Sequence, residues 1–252
     1  MDAVVKLFDT YSLNARVKPA FFLVFPIILS LLVWFEPSRT WGGSGVTFLV
    51  YFGIISFASN QMSTRGNLLQ DRLFLKWGGA PTTIIMRHSD NRLDKYTKDR
   101  YIKKLDALIS NFKPISLEHE QSDPNNADEM YRTAANYLRE RTRDIKQFPL
   151  IFKENISYGF SRNIMAFKIL GALFTLLSIV TSLYLIWHSY FMGSDKSFDI
   201  LIFSVPFLYD GLLVILLFTL FLWIFTVTEK WVEIRAFAYA KALLSACENI
   251  HA

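Results

Sequence analysis

The chain has 252 residues, of which 52% are hydrophobic and 19% are charged, and 23 are phenylalanine. Average soluble domains carry more charge and fewer large apolar side chains, so this composition argues against a wholly soluble protein. The single cysteine, Cys247, excludes an internal disulfide and a multi-cysteine metal cluster.

Four long apolar runs lie in two pairs along the chain, at residues 20–35 and 45–62 and at residues 169–190 and 200–227. A bilayer core about 30 Å thick needs about 20 apolar residues of α-helix, with ~17 tolerated. The sequence therefore predicts an all-α membrane protein. Its four transmembrane helices form two hairpins, with an α-rich domain inserted between them.

This pattern divides the chain into four segments. They are an N-terminal tail with the first hairpin at residues 1–62, a helical domain with its stem at 63–164, the second hairpin at 165–228, and an amphipathic helix at 229–252.

Inside the inserted domain, apolar spacing predicts helices at residues 97–112 and 123–144, the second starting with Asp123 as N-cap and Pro124 in the first turn. Residues 66–77 continue the second run as a stem. Residues 148–163 are mixed and aromatic, and we expect them to lie along the membrane surface.

Lysine and arginine are distributed unevenly around the four runs. The tails before the first run and after the last hold three each, and residues 63–164 hold eighteen. The short connections, residues 36–44 and 191–199, hold one each, Arg39 and Lys196. Because basic residues accumulate on the cytoplasmic side, both termini and the inserted domain are expected to be cytoplasmic.

The most distinctive residue of the apolar runs is Asp210, about 5 Å from the middle of the fourth run at helical rise. An acid near the centre of a span costs ~2.5–3.5 kcal/mol on insertion scales. Counted from the connection, it lies at the depth of Ser178, Thr181 and Ser182. Two interpretations stay open: a protonated carboxyl hydrogen-bonded across the hairpin, or an ionisable group lining a pore or proton path.

A glycine-rich segment follows the stem and contains Gly78, Gly79, Thr82 and Thr83, with Arg87 shortly after. Glycine lets backbone N–H groups approach a phosphate, and the hydroxyls and the guanidinium can complete an anion site. The segment lacks the lysine and spacing of a P-loop. The alternative is a plain turn that ends the stem and starts a helix with proline in its first turn.

Basic residues also crowd one predicted helix end, at Arg139, Arg141 and Arg143, and Arg162 precedes the third run. They are candidates for contact with anionic lipid or a partner. The alternative is that cations at a helix C-terminus simply complement the helix dipole.

Signatures of catalysis are missing from the sequence: there is no Gly-x-Ser-x-Gly, His-Glu-x-x-His or paired-cysteine motif. We therefore do not expect an enzyme, and we expect no cofactor and no metal. Residues 63–164 hold eighteen basic and thirteen acidic residues, a net charge of +5. This excess is modest for nucleic-acid binding, so nucleic acid is not an expected partner.

Three stretches carry a resemblance to known sequences: WGGAPTT at residues 77–83, LRERTRD at 138–144 and FPLIFKEN at 148–155. They resemble a group of bacterial four-span membrane proteins whose function is not established. The resemblance implies a bacterial inner membrane and assigns no active residues. By layout alone, the chain is also similar to multi-span effectors of anti-phage defence systems.

These observations favour an inner-membrane effector or channel-like protein that is gated by a cytoplasmic ligand or protein partner, and the layout suggests a role in anti-phage defence. The alternative is a non-conducting, membrane-anchored interaction subunit that recruits a soluble partner protein. In both cases we expect contact with membrane lipids and a homo-oligomer.

Overall fold

The computed structural model describes residues 9–35, 41–192 and 205–250, and all regular structure within them is helical. Most of the connection at residues 36–44, most of that at 191–199 and the start of the fourth run lie outside the described residues. The helices are α1 Thr10–Trp34, α2 Trp41–Trp77, α3 Pro81–Met86, α4 Lys95–Leu108, α5 Leu117–Ser122, α6 Pro124–Arg141, α7 Pro149–Ala166, α8 Lys168–Phe191, α9 Phe207–Thr226 and α10 Glu229–Ser245.

The chain divides into two compact units. Unit one comprises Met1–Asn67 and Phe160–Trp231, and unit two comprises Leu68–Gly159 and Val232–Ala252. Unit two therefore contains the inserted helices together with most of α10.

Within the described residues, three helices are long and apolar enough to cross a membrane: α1, α8 and α9. In each of these helices, at most 28% of the most apolar 18-residue stretch is buried inside the protein. Such exposed apolar faces match a lipid environment. The second predicted run, residues 45–62, lies within α2 and is not one of these three helices, so the count of four spans stays a prediction.

Each of the three apolar helices contains a π-helical segment near one end, at Leu13–Val17, Trp187–Phe191 and Leu222–Thr226. The first segment has a local cause. Proline has no backbone N–H, so Pro19 cannot donate the hydrogen bond that the Ala15 carbonyl would accept in an α-helix. Asn163 Nδ2 on α7 donates to that carbonyl oxygen at 2.6 Å. At the end of α9, Lys168 Nζ donates to the Ile224 carbonyl oxygen at 3.0 Å, where a cation also suits the helix dipole.

Close packing of α8 against α9 depends on one glycine. A Cβ at Gly171 would lie 2.2 Å from the Trp223 ring, whose side chain is fully buried. Only glycine leaves room for the indole there.

Unit two has its own apolar core, which α3, α4, α6 and α10 build together. Its completely buried members include Ile85, Met86, Leu105, Tyr131, Leu138, Leu243, Leu244 and Cys247. The predicted helices and the Asp123 N-cap with Pro124 in the first turn are confirmed, with α4 and α6 slightly shorter than expected. On α6 the buried face centres on Tyr131 and Leu138.

Helix α7 differs from the expectation of a segment on the membrane surface, because several of its side chains are buried in protein. Ile151 and Tyr158, like the preceding Phe148, are buried in unit two, and Asn163 and Ile164 are buried in unit one. The mixed pattern of residues 148–163 therefore reflects packing inside the protein.

We predict that Gly171→Ala destabilises unit one by about 1–3 kcal/mol, because the added methyl group overlaps the Trp223 ring. The matched control is Gly211→Ala on α9, where an added Cβ meets nothing within 4 Å. Thermal unfolding of the purified protein in detergent compares the two. Equal melting temperatures would contradict the close packing.

Candidate functional site

The polar side chains predicted inside the membrane do not form one site. Ser178 and Ser182 are buried in unit one. Ser178 Oγ donates to the Phe174 carbonyl oxygen at 2.9 Å, and Ser182 Oγ accepts from Trp34 Nε1 at 3.2 Å. Thr181 lies on the exposed side of the helix.

Asp210 lies in the first turn of α9, so its expected depth near the middle of the fourth run is wrong. The helix begins directly after Pro206, its N-cap residue. The Asp210 side chain is exposed, and no hydrogen bond joins it to α8 among the described residues. A carboxylate in a first turn is favoured by the helix dipole, so a cross-hairpin bond is not needed to explain it.

The glycine-rich segment forms a compact turn at the end of α2. Gly78 and Gly79 have φ of +83° and +147°, in the region that only glycine adopts readily. The Gly78 N–H donates to the Leu75 carbonyl and the Gly79 N–H to the Phe74 carbonyl, which is the Schellman pattern of a helix end. Thr82 and Thr83 are buried in α3. This geometry favours the plain turn over the anion site.

Arg87 is occupied by partners within unit two. Its Nε and Nη2 donate to the two carboxylate oxygens of Asp128 at 2.9 and 2.6 Å, and Nη2 also donates to the Gly78 carbonyl oxygen at 2.7 Å. The bond to Asp128 raises the pKa of Arg87 above its ordinary value. The guanidinium therefore ties the turn to α6, and its charge is already compensated.

A second polar contact lies beside this pair, around Glu120 at the end of α5. Its carboxylate accepts the His88 backbone N–H at 3.0 and 3.1 Å and the Tyr131 hydroxyl at 2.7 Å. Burial and the bond to Glu120 raise the pKa of Tyr131 far above its usual range. Together with Arg87 and Asp128, these residues hold α3, α5 and α6 in place.

The predicted basic residues are divided between the two units. Arg139 Nη1 donates to Asn136 Oδ1 at 2.7 Å, and the Arg141 guanidinium lies 5.4 Å from the centre of the Tyr137 ring. Arg139, Arg141 and Arg143 are exposed in unit two, whereas Arg162 belongs to unit one. Contact with lipid or a partner stays a prediction for all four.

Comparison with models of known protein families, with curated proteins and with solved structures finds no match to this chain.

We predict that Asp128→Asn destabilises unit two by about 1.5–3 kcal/mol, because it leaves the Arg87 guanidinium without its charged partner. Glu129→Gln removes the neighbouring exposed carboxylate of α6 and is the matched control. Thermal unfolding of both variants tests the prediction. If the two variants unfold together, the pair does not hold the turn.

Proposed function

We propose that the chain is an integral protein of the bacterial inner membrane that anchors a helical unit in the cytoplasm. Unit two recruits a soluble partner protein there, and the spans conduct nothing. Three apolar helices support the membrane location, and the basic residues of 63–164 support the cytoplasmic side.

The second run also fits a span. Its large apolar side chains are exposed on the surface of the protein, as side chains that face lipid are. They include Phe48, Leu49, Val50, Phe52, Ile54 and Phe57. At 1.5 Å per residue, the 37 residues of α2 extend about 56 Å, which exceeds the thickness of a bilayer core.

The arrangement of polar groups in unit one supports an anchor. Thr175, Ser178 and Thr219 are buried and each donates to the carbonyl four residues earlier in its own helix. The outward faces of α8 and α9 carry exposed leucine, valine, isoleucine and phenylalanine. A water-filled path needs polar groups around a lumen, whereas these three buried hydroxyls are satisfied within their own helices.

The observation that carries recruitment is an apolar groove of about 570 Å³ on unit two, at the end of α2. Leu75 lines this groove beside Phe74 and the Gly78-Gly79 turn, and 84% of its surface is exposed. Asp71 and Arg132 supply one charge of each sign in the lining. The groove fits an amphipathic helix with an apolar face and with a basic and an acidic residue opposite these two charges.

We predict that a photo-crosslinking amino acid in place of Leu75, in the full chain expressed in its native host, gives one discrete adduct with another protein. Reversing the charge by Arg132→Glu should remove the adduct, because it repels the acidic residue of the partner. The same amino acid in place of exposed Lys103 is the control. Recruitment would be contradicted by the absence of an adduct at Leu75 or by equal adducts at both positions. An adduct only with a second copy of this chain would also contradict it.

One observation favours the second candidate, a gated effector of anti-phage defence that conducts ions. Asp210 is exposed on a helix that is otherwise apolar on its outer face. A carboxylate on that surface can line a path only if several copies assemble around it.

For this candidate, ion flux is the deciding measurement. If the chain is an anchor, liposomes with the purified chain should leak no faster than protein-free liposomes. Its expression should also leave the membrane potential of the host unchanged. If the chain is a conducting effector, the liposomes should show ion flux, and Asp210→Asn should abolish it. The control Asp106→Asn, which changes an exposed acid of unit two, should preserve the flux. Flux of that kind would overturn the anchor.

A further inference from the structure

Positive charge is in excess at the end of unit one where α1 begins and α9 ends. The segments at this end are residues 9–20, 58–67, 160–170 and 222–231, and they hold six basic and two acidic residues, a net charge of +4. The basic residues are Arg16, Lys18, Arg65, Arg162, Lys168 and Lys230. Each lies where an apolar run meets polar sequence.

Contacts around Asn163 bring these segments to one level of unit one. Asn163 Nδ2 on α7 donates to the Ala15 carbonyl oxygen on α1 at 2.6 Å. A Cβ added to Gly66 of α2 would lie 1.9 Å from Asn163 Oδ1, so α2 also touches α7 here. The guanidinium of Arg65 on α2 lies 5.8 Å from the centre of the Phe167 ring, directly before α8. The cations of α1, α2 and α8 therefore lie in one layer.

Four of these cations, Arg16, Lys18, Arg65 and Lys168, contact only neutral groups among the described residues, and we call them the basic layer. Their contacts are Arg16 with the Tyr11 ring at 5.7 Å, Arg65 with the Phe167 ring at 5.8 Å, Lys18 Nζ with Asn14 Oδ1 at 2.6 Å and Lys168 Nζ with the Ile224 carbonyl oxygen at 3.0 Å. The salt bridges between described residues include none of the four. Of the two acids, Asp9 accepts the Ser12 backbone N–H at 3.2 Å and Glu229 begins α10. The basic layer therefore keeps its positive charge.

The basic layer borders apolar surface that is itself exposed. Phe21 follows Lys18 by less than one turn of α1 and is 45% exposed, and Ile169 follows Lys168 directly and is 75% exposed. Lysine and arginine at such a border rest their apolar stems on the hydrocarbon side and hold the charge at the level of the lipid headgroups. A molecule that covers both surfaces needs an anionic group and an apolar chain beside it.

We propose that the basic layer binds the phosphate groups of anionic phospholipids in the cytoplasmic leaflet. The guanidinium and ammonium groups pair with the phosphates, and the acyl chains lie along the exposed apolar faces of α1 and α8. A soluble phosphate would use only the first of these two contacts. The inference rests on the membrane location in the proposed function and names the lipid that the anchor selects. It does not depend on recruitment of a partner by unit two.

The test uses the full chain in detergent micelles that contain equal amounts of phosphatidylglycerol and phosphatidylcholine with the same acyl chains. Native mass spectrometry counts the molecules of each lipid that stay bound to the protein. We expect phosphatidylglycerol to be retained at least about fivefold more often, because each basic residue near an anionic headgroup contributes about that factor. An excess of inorganic phosphate should leave the bound lipid in place, because it lacks the acyl chains.

Two matched pairs of variants locate the lipid on the basic layer. Arg65→Gln and Arg72→Gln remove the same charge from exposed positions on one face of α2, but Arg72 lies about 10 Å further along the helix, away from the apolar run. Arg65→Gln should lower the preference for phosphatidylglycerol about two- to fivefold, and Arg72→Gln should leave it unchanged. Lys18→Gln and the control Lys103→Gln, both at exposed positions, form the second pair on α1 and α4.

The proposal is overturned if the wild-type chain retains both lipids equally, if inorganic phosphate displaces the lipid, or if neither Arg65→Gln nor Lys18→Gln differs from its control. Flotation of the wild-type chain with phosphatidylcholine vesicles tests the membrane location separately. A chain that does not float overturns the membrane location and this proposal together. A chain that floats but shows no lipid preference overturns this proposal alone.

Discussion

The lipid interior offers no hydrogen-bonding partners, and this constraint determines how unit one is built. Each polar group of a span must find its partner inside the protein. Buried hydroxyls therefore bond back to carbonyls of their own helix, and Asn163 supplies the donor that Pro19 cannot give to the Ala15 carbonyl. Among the described residues of unit one, two buried groups lack a hydrogen-bond partner, Ser30 Oγ on α1 and Trp223 Nε1 on α9. The same constraint leaves the outer faces of α8 and α9 mostly apolar, which supports the proposed anchor over a conducting path.

Sequence patterns predicted those features of the fold that depend on neighbouring residues. The N-cap of α6 at Asp123 and the end of α2 at Gly78-Gly79 follow from local backbone chemistry, and both are present. Burial of Leu105 follows from helical periodicity. The depth of Asp210 failed because an apolar run does not show where its helix begins, and the described helix starts only after Pro206.

The candidate site was harder to predict because its contacts join residues far apart in the chain. Arg87 was predicted as part of an anion site at the Gly78-Gly79 turn; it donates to the Gly78 carbonyl and to Asp128, which lies 41 residues away, and no pattern connects Arg87 with Asp128. Glu120 and Tyr131 were missed for the same reason. The sequence indicates only part of this contact. The spacing of Tyr131 and Leu138 by seven residues predicts that they share a helix face, and the hydroxyl of a buried tyrosine needs a hydrogen-bond partner.

Two cations of unit two are held inside the protein by different kinds of partner. Arg87 meets both oxygens of Asp128, so the pair is nearly neutral as a whole and binds α6 to the turn. Lys98 is more deeply buried; its Nζ donates to two carbonyl oxygens, and the carboxylates of Asp90, Glu120 and Asp99 favour its charged form. Both cations therefore hold neighbouring segments of unit two together, and the Arg87 guanidinium that the sequence suggested for an anion site is already occupied.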